Sequence, residues 1–307
     1  MPNIDNYRNR LSEEGIRFPL TKIPNEKNGL ISHLPSDHKF DGWPWQEQVN
    51  PEIYDQNLVW PKITIVTPSY NQADFLEQTI RSVLLQNYPN LEYIIIDGGS
   101  DDGSKEIIEK YSPWLSYYQS KKDLGQSNAI NIGFSLGSGE YYAWINSDDY
   151  YLENVFHVVV SSFLKSSCEF IYGYGYNNLV NQKVLKLNIV KPLFDIFLRF
   201  PSLIQPSCFW SAKIHESLWE DLHCSLDYEL WLRIIPGKKR ALIKKPLSVA
   251  NVHDNAKTSD AKMGEFWKND HELICHPSAH GPVKYWKIKN SLNHLHLKLN
   301  QFIEKYF

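Results

Sequence analysis

The sequence predicts an α/β protein built on a doubly wound, mainly parallel sheet, and three observations carry that prediction. Short β-branched or aromatic runs alternate with stretches of helical periodicity from Pro61 onward. The run Tyr93 to Ile96 is apolar at every position, as in strands covered by helices on both faces. Each of three such runs ends abruptly in small or acidic residues: Pro68-Ser69, Asp97-Gly98-Gly99 and Asn146-Ser147-Asp148-Asp149. Open α/β sheets bind ligands beyond the carboxyl ends of their strands, so these three ends define the expected site.

Taken in order, residues 1–60 are rich in Asn, Pro and charge, without sustained period, and read as an irregular arm anchored on the main domain by the tryptophans of Gly42-Trp43-Pro44-Trp45. The main domain spans 61–262. Ile63 to Thr67 is a strand stopped by Pro68, followed by a loop and by a helix whose Phe75, Ile80, Val83 and Leu84 share one face. The strand Tyr93–Ile96 leads into a Gly- and Ser-rich turn and a helix marked by Ile107, Ile108 and Tyr111. Gly125 to Gly137 is a loop and a helix, and Tyr141 to Ile145 a buried strand.

Leu152 to Leu164 suggests a helix, Phe170–Tyr176 and Lys183–Val190 two strands, Leu226–Ile235 a short helix and Ala241–Val252 a strand. Pro192–Ile204 is an apolar, amphipathic stretch expected to pack. Residues 263–307 form a C-terminal helical extension whose Ile288, Leu292, Leu295, Leu299 and Phe302 repeat at helical spacing, a stripe suited to the domain, a second copy of the chain or a membrane surface.

Composition narrows the function. The chain has 307 residues, and 42% of them are hydrophobic, enough for a large core. With Lys and Arg at 32 against Asp and Glu at 35, the chain lacks the basic balance of a nucleic-acid-coating protein. Cys168, Cys208, Cys224 and Cys275 lie far apart without a Cys-x-x-Cys pair, the pattern of reduced thiols in a cytoplasmic protein. No N-terminal apolar segment resembles a signal peptide, and no run approaches the roughly 18 apolar residues of a membrane span. The expected location is cytoplasmic, with peripheral contact at the inner face of the membrane as the variant that the terminal stripe would permit.

The chemistry concentrates at the strand ends. Two adjacent carboxylates, Asp148 and Asp149, repel each other, and the usual relief is a hard cation, Mg2+ or Mn2+, that completes its shell with phosphate oxygens and water. The competing reading is that Asp148 caps the following helix. In the first loop Thr67, Ser69 and Tyr70 offer hydroxyls and an aromatic ring to a base, and Asp97 is placed to accept a hydrogen bond from a ribose or a base N–H. Taken alone, the Asp97 segment also fits an ordinary turn. A zinc site at His271, Cys275, His276 and His280 is disfavoured, because Pro277 interrupts the helix that would align them.

The motifs Ile-Thr-Ile-Val-Thr-Pro-Ser-Tyr-Asn (63–71), Asp-Gly-Gly-Ser-Asp-Asp-Gly-Ser (97–104), Gly-Gln-Ser-Asn-Ala-Ile-Asn-Ile-Gly (125–133) and Asn-Ser-Asp-Asp (146–149), in this order, resemble the family 2 glycosyltransferases of the GT-A fold. The resemblance runs from Pro61 to Ser259 and implies a Rossmann-like sheet flanked by helices. It also implies a nucleoside diphosphate sugar as donor, a UDP-sugar favoured, and a glycan, lipid-linked or small acceptor. It places Gln126, Asn131, Asn146 and Asp148 around the donor. Asp149 becomes the direct metal ligand, His253 a second one, and Lys257 a partner of the diphosphate. Asn146 stands where the literal motif has Asp. Asp227 falls on the general base of an inverting displacement, with Glu229 as the alternative, while Gln205 and Trp231 border the acceptor.

Other classes fit less well. A dinucleotide-dependent oxidoreductase would need glycines after the first strand, where Thr67-Pro68-Ser69-Tyr70 has none. A nucleotidyltransferase would need a glycine-rich, basic loop at the same place. A non-catalytic sugar-nucleotide or glycan-binding protein is the surviving alternative, and the intact Asp149 and Asp227 speak against it.

Overall fold

The computed structural model describes residues 29–35, 40–190, 203–254, 256 and 263–274, together with Glu13. Strands β1 (Ile63–Ser69), β2 (Leu91–Asp97), β3 (Tyr117–Ser120) and β4 (Tyr141–Trp144) run parallel in the order β3-β2-β1-β4. Helices α1 (Ala73–Leu84), α2 (Ser104–Tyr111) and α3 (Gln126–Leu136) connect them. Every residue of β1 and β2 is buried, as expected of parallel strands between helix layers. Gly133 lets α3 lie directly on β1: a Cβ at that position would collide with Val66.

Beyond β4 the sheet changes character. It continues through β8 (Cys208–Ser211), β6 (Phe170–Leu179), β9 (Arg240–Val252) and β5 (Tyr150–Tyr151), with β7 (Val184–Asn188) paired to β6 as a hairpin. β8 is antiparallel to both β4 and β6, β5 is antiparallel to β9, and β6 and β9 are parallel with register shifts beside Tyr174. Helix α4 (Val155–Ser166) packs on this half, α5 (Leu226–Ile234) precedes β9, and α6 (Met263–Ile274) follows it. The expected α/β sheet is therefore present in mixed form, and β3, β5 and β8 were not anticipated.

Strand β1 also runs two residues past its expected stop, through Pro68 to Ser69. Val66 accepts from the Ile145 amide on the β4 side and Ser69 accepts from Gly98 on the β2 side, so alternation directs position 68 towards β4. Pairing with β4 has ended at Val66, so the amide that proline lacks has nothing to bond there.

The described part of the N-terminal arm is held by more than its tryptophans. Trp43 donates its indole N–H to the Tyr151 carbonyl at 2.7 Å. Arg81 of α1, buried, spends its guanidinium on the carbonyls of Pro35, Pro44 and Trp45 at 2.8–2.9 Å. Leu30, Leu34, Val49, Tyr54 and Trp60 join the core below α1. The terminal stripe 288–302 and most of the Pro192–Ile204 stretch lie outside the described residues. Among the described residues no helix is long and apolar enough to cross a membrane.

Candidate active site

Two loops at the carboxyl ends of β1 and β2 are stitched into one ledge. Asn71, at φ 51°, accepts from the Asp101 amide and donates its own N–H to the Ser100 hydroxyl. Asp102 caps α1 from the neighbouring loop, taking the Ala73 N–H at 2.8 Å and the Ser104 hydroxyl at 2.7 Å. Desolvation acts against the Asp102 carboxylate, and these donors prevail and hold its pKa below the usual value.

Asp97 is the last residue of its strand and is fully buried. Its carboxylate already accepts from the amides of Gly99 and Ser100 and from the hydroxyls of Ser100 and Ser120. This carboxylate builds the turn. Thr67 is likewise fully buried, its hydroxyl 3.0 Å from that of Tyr93, whereas Tyr70 is 63% exposed.

A carboxylate that sequence reasoning missed lies beside Tyr70. The Tyr70 ring edge and the Asp123 carboxylate lie 3.2 and 3.3 Å from the point a Cβ on Gly98 would occupy, so glycine opens a recess between an exposed ring and an acid. Burial raises the Asp123 pKa, the Gly125 amide opposes that shift, and the Asp97 charge adds to it. The only sequence signal was Asp123 two residues before Gly125, whose φ of 106° breaks the chain into α3. The Ser69 hydroxyl, buried at the edge of this ledge, has no hydrogen-bond partner among the described residues.

The Asn146–Asp149 turn leaves β4 between α1 and β9. Thr79 of α1 donates its hydroxyl to the carbonyls of Ser147 and Asp149, and β5 then pairs with β9 at Val249 and Ser248. That clamp sends the two carboxylates in different directions. Asp149 turns inward, where one oxygen accepts the Asn251 amide at 3.0 Å and the other lies 3.5 Å from the Asn146 side-chain nitrogen. Burial and then the Asp148 charge push its pKa well up, against the Asn251 amide.

Asp148 points outward, its Oδ2 3.4 Å from His253 Nε2. His253 stacks on Phe75, the ring centroids 4.4 Å apart, which fixes its imidazole against α1. The carboxylate that faces His253 is thus Asp148, while Asp149 lies against the Asn251 amide. Nor does Asp148 cap a helix: α4 begins at Val155, with Asn154 in the N-cap position.

Gln126, at the start of α3, donates to the Asn146 amide oxygen at 2.8 Å, which places both in this network. Asn131 is elsewhere. It holds the Leu218 backbone through both amide atoms and also donates to Glu220 at 2.9 Å, so its position one and a half turns along α3 carries it to the 218–220 loop and away from the donor side.

Asp227 is the second residue of α5, half-buried, with one oxygen accepting the Tyr228 amide at 2.8 Å. Its helix is locked to the end of β4: Trp231 stacks on Trp144 with centroids 5.5 Å apart, and Gln205 donates its amide to the Trp144 carbonyl at 2.9 Å. The buried Cys208 thiol has its pKa raised by burial and, next, by the Asp227 charge, so the acid faces the start of β8. Glu229 is excluded as a free base, because both its oxygens chelate the Arg233 guanidinium at 2.7 and 2.8 Å.

Lys257, Cys275, His276 and His280 lie outside the described residues, and His271 stacks on Tyr228. Cys168, Cys208 and Cys224 are free thiols, the last only partly buried.

Among the described residues no three His, Cys, Asp or Glu side chains converge as a metal cage. A two-residue set fits a hard cation that draws the rest of its shell from phosphate and water, and Asp148 with His253 is such a set.

Comparison with known proteins identifies the family and the fold. Residues 64–216 match the family model of glycosyl transferase family 2, which ends before Asp227 and His253. An uncharacterised glycosyltransferase of Rickettsia typhi is 29% identical over 67% of this chain and 69% of its own. Another, from Rickettsia felis, is 31% identical over 58% of this chain but only 32% of its own.

Among solved structures, S. aureus TarS in complex with UDP-GlcNAc superposes with a TM-score of 0.58 at 15% identity, covering 76% of this chain and 70% of that one. The Pyrobaculum calidifontis mannosyltransferase PcManGT, in complex with GDP-Man and Mn2+, gives 0.55 at 15% identity, over 78% and 71%. These two likenesses establish the shared GT-A architecture. The ordered strand-end motifs, the family match and that architecture together show that the chain belongs to glycosyl transferase family 2.

Proposed function

We propose that the protein transfers a sugar, with inversion, from a nucleoside diphosphate sugar to the hydroxyl of a glycan, lipid-linked or small acceptor. The observation that carries this reading is the separation of tasks at the end of β4: a carboxylate–imidazole pair, Asp148 and His253, in the turn that follows it, and Asp227 on the helix whose Trp231 stacks on Trp144. The recess between Tyr70 and Asp123 takes the base and ribose, with uridine as the favoured base.

Asp148 and His253 would hold Mn2+ or Mg2+, which when bound supplies positive charge to the departing diphosphate. Asn146 and Gln126 line the donor side beside them, and Lys257 is assigned to the diphosphate. Asp227 accepts the proton of the acceptor hydroxyl as that oxygen forms its bond to the anomeric carbon. The bond from that carbon to the diphosphate oxygen breaks on the opposite face, so one displacement inverts the centre. Gln205 and Trp231 stand on the acceptor side. The transferase domain is assigned to residues 61–262, between the 1–60 arm and the 263–307 extension.

The test is a thermal-stabilisation screen of UDP, GDP, dTDP and CMP with and without Mn2+, because a ligand of the folded state raises the melting temperature. UDP with Mn2+ is expected to give the largest shift, and Asp148→Ala to remove the metal-dependent part. Equal shifts with and without Mn2+ in the wild-type chain would overturn the metal assignment.

A further inference from the structure

We infer that Asp270, on a helix beyond the family match, is a positioning residue for Asp227; this rests on the reading of Asp227 as the base. Asp270 lies on α6 and is 1% exposed, yet among the described residues its carboxylate has no cationic partner. Its oxygens accept the backbone amides of His223 at 3.0 and 3.2 Å, Cys224 at 2.8 Å and Ser225 at 2.8 Å, and the Cys224 thiol lies 3.3 Å away. Burial acts against the charge, and the three amides prevail and keep the pKa below the usual value.

Those amides belong to the three residues that lead into α5, and Asp227 is two residues further on. Ser225 occupies the N-cap position of α5 but makes no side-chain capping bond. The N-cap amide and the two before it are held instead by a carboxylate, 45 residues from Ser225 in the chain. Two further contacts tie the same segments: His223 stacks on Phe266 and Tyr228 on His271, with centroids 5.2 and 6.0 Å apart. A helix in its first turn is free to fray, and a base must hold its oxygen within a fraction of an ångström of the proton it takes. Asp270 therefore fixes the direction in which the first turn of α5 presents Asp227.

The experiment uses the full chain with Asp270→Ala, Asp270→Asn and Asp270→Glu. Three quantities are read: steady-state release of UDP from the UDP-sugar selected by a donor screen of the wild-type chain, UDP binding in Mn2+ by calorimetry, and hydrogen exchange across 223–231. Removing the cage is expected to lower kcat about 100-fold in Asp270→Ala and about 10-fold in Asp270→Asn, since displacements on the order of 1 Å at a reacting group cost that much. UDP affinity and donor KM stay within about twofold, exchange across 223–231 speeds up, and Asp270→Glu recovers part of kcat.

Unchanged kcat in either folded variant overturns the inference, and so does a loss of UDP affinity in step with kcat. If Asp270→Ala does not fold, Asp270→Asn decides by the same criteria. Asp227→Asn separates the two levels: an inert Asp227→Asn beside fully active Asp270 variants defeats only the positioning role, while an active Asp227→Asn defeats the base assignment itself.

Discussion

The parallel half of the sheet and its mixed half are held together by different means. In the parallel half the acidic side chains at the strand ends are consumed by construction: Asp97 takes four donors to close one turn, and Asp102 caps a helix of the adjacent unit. The first region is a rigid ledge whose shape its own hydrogen bonds determine. The second is packed by aromatic area, with Trp210, Trp231 and Phe170 in contact with one another and with Trp144 at the end of β4. The comparison teaches that an acid at a strand end is not thereby a ligand-binding acid. What distinguishes Asp148 from Asp97 is that its carboxylate faces an imidazole and, among the described residues, accepts no backbone amide.

That contrast can be broken by mutation, and the largest effect should come from the ledge. Asp97→Ala leaves the Gly99 and Ser100 amides and the Ser120 hydroxyl without their acceptor in a turn built around a buried carboxylate. The expected loss is about 3 kcal/mol or more of unfolding free energy by urea titration. A loss under about 1 kcal/mol would show that the turn is not held by this acid.

The acid limb of stability sharpens the comparison from the other half. His215 accepts the Trp210 indole N–H at 3.3 Å through Nδ1, which requires the neutral ring. Burial first, and the Arg233 charge second, push its pKa down to about 4, with Glu216 opposing. A lowered histidine pKa means the unfolded chain binds the proton first. The stability from this site is complete above the ordinary value and is lost as pH falls from about 6.5 towards 4, by at most on the order of 3 kcal/mol. His215→Gln should flatten that portion of the stability-against-pH curve; an unaltered slope would assign it to other groups.

Breaking the Glu229–Arg233 chelate comes next. Glu229→Gln is expected to cost about 2 kcal/mol while leaving kcat within about threefold, because the side chain holds Arg233 and takes no proton. Loss of kcat by orders of magnitude in a stable Glu229→Gln would return that residue to the list of bases.

The smallest change is expected at Asp149. Its raised pKa means that ionisation costs the fold free energy, a cost absent below the ordinary carboxylate value and complete above the raised one. Asp149→Asn keeps an oxygen for the Asn251 amide and removes the buried charge, so the melting temperature at neutral pH should hold or rise by a few degrees. A fall of many degrees would mean that the ionised form is structurally needed.

Much of this was legible in the sequence because the parallel half obeys local rules. Continuous apolar runs and helical spacing located β1, β2, β4 and the helices between them, and the acid pair past β4 marked the rim of the sheet. The mixed half was harder for physical reasons. β5 and β8 are two and four residues long, too short for periodicity to register, and pairing with β9 and β6 decides their conformation. The surroundings of the site residues were not legible, because tertiary partners decide them. Nothing local says that Asp97 is saturated, that Asn131 serves the 218–220 loop, that Asp149 turns inward while Asp148 turns outward, or that a carboxylate at 270 completes the start of α5.

The central claim is that Asp227 takes the acceptor's proton at a rim whose metal-holding side is built separately by Asp148 and His253. It is tested most directly by comparing Asp227→Asn with the wild-type chain for UDP binding in Mn2+ and for sugar transfer on the selected donor. The account predicts UDP affinity within about twofold and transfer reduced by at least about 1,000-fold, within the range spanned by general-base catalysis. Transfer at an undiminished rate, or loss of UDP binding together with transfer, would contradict it.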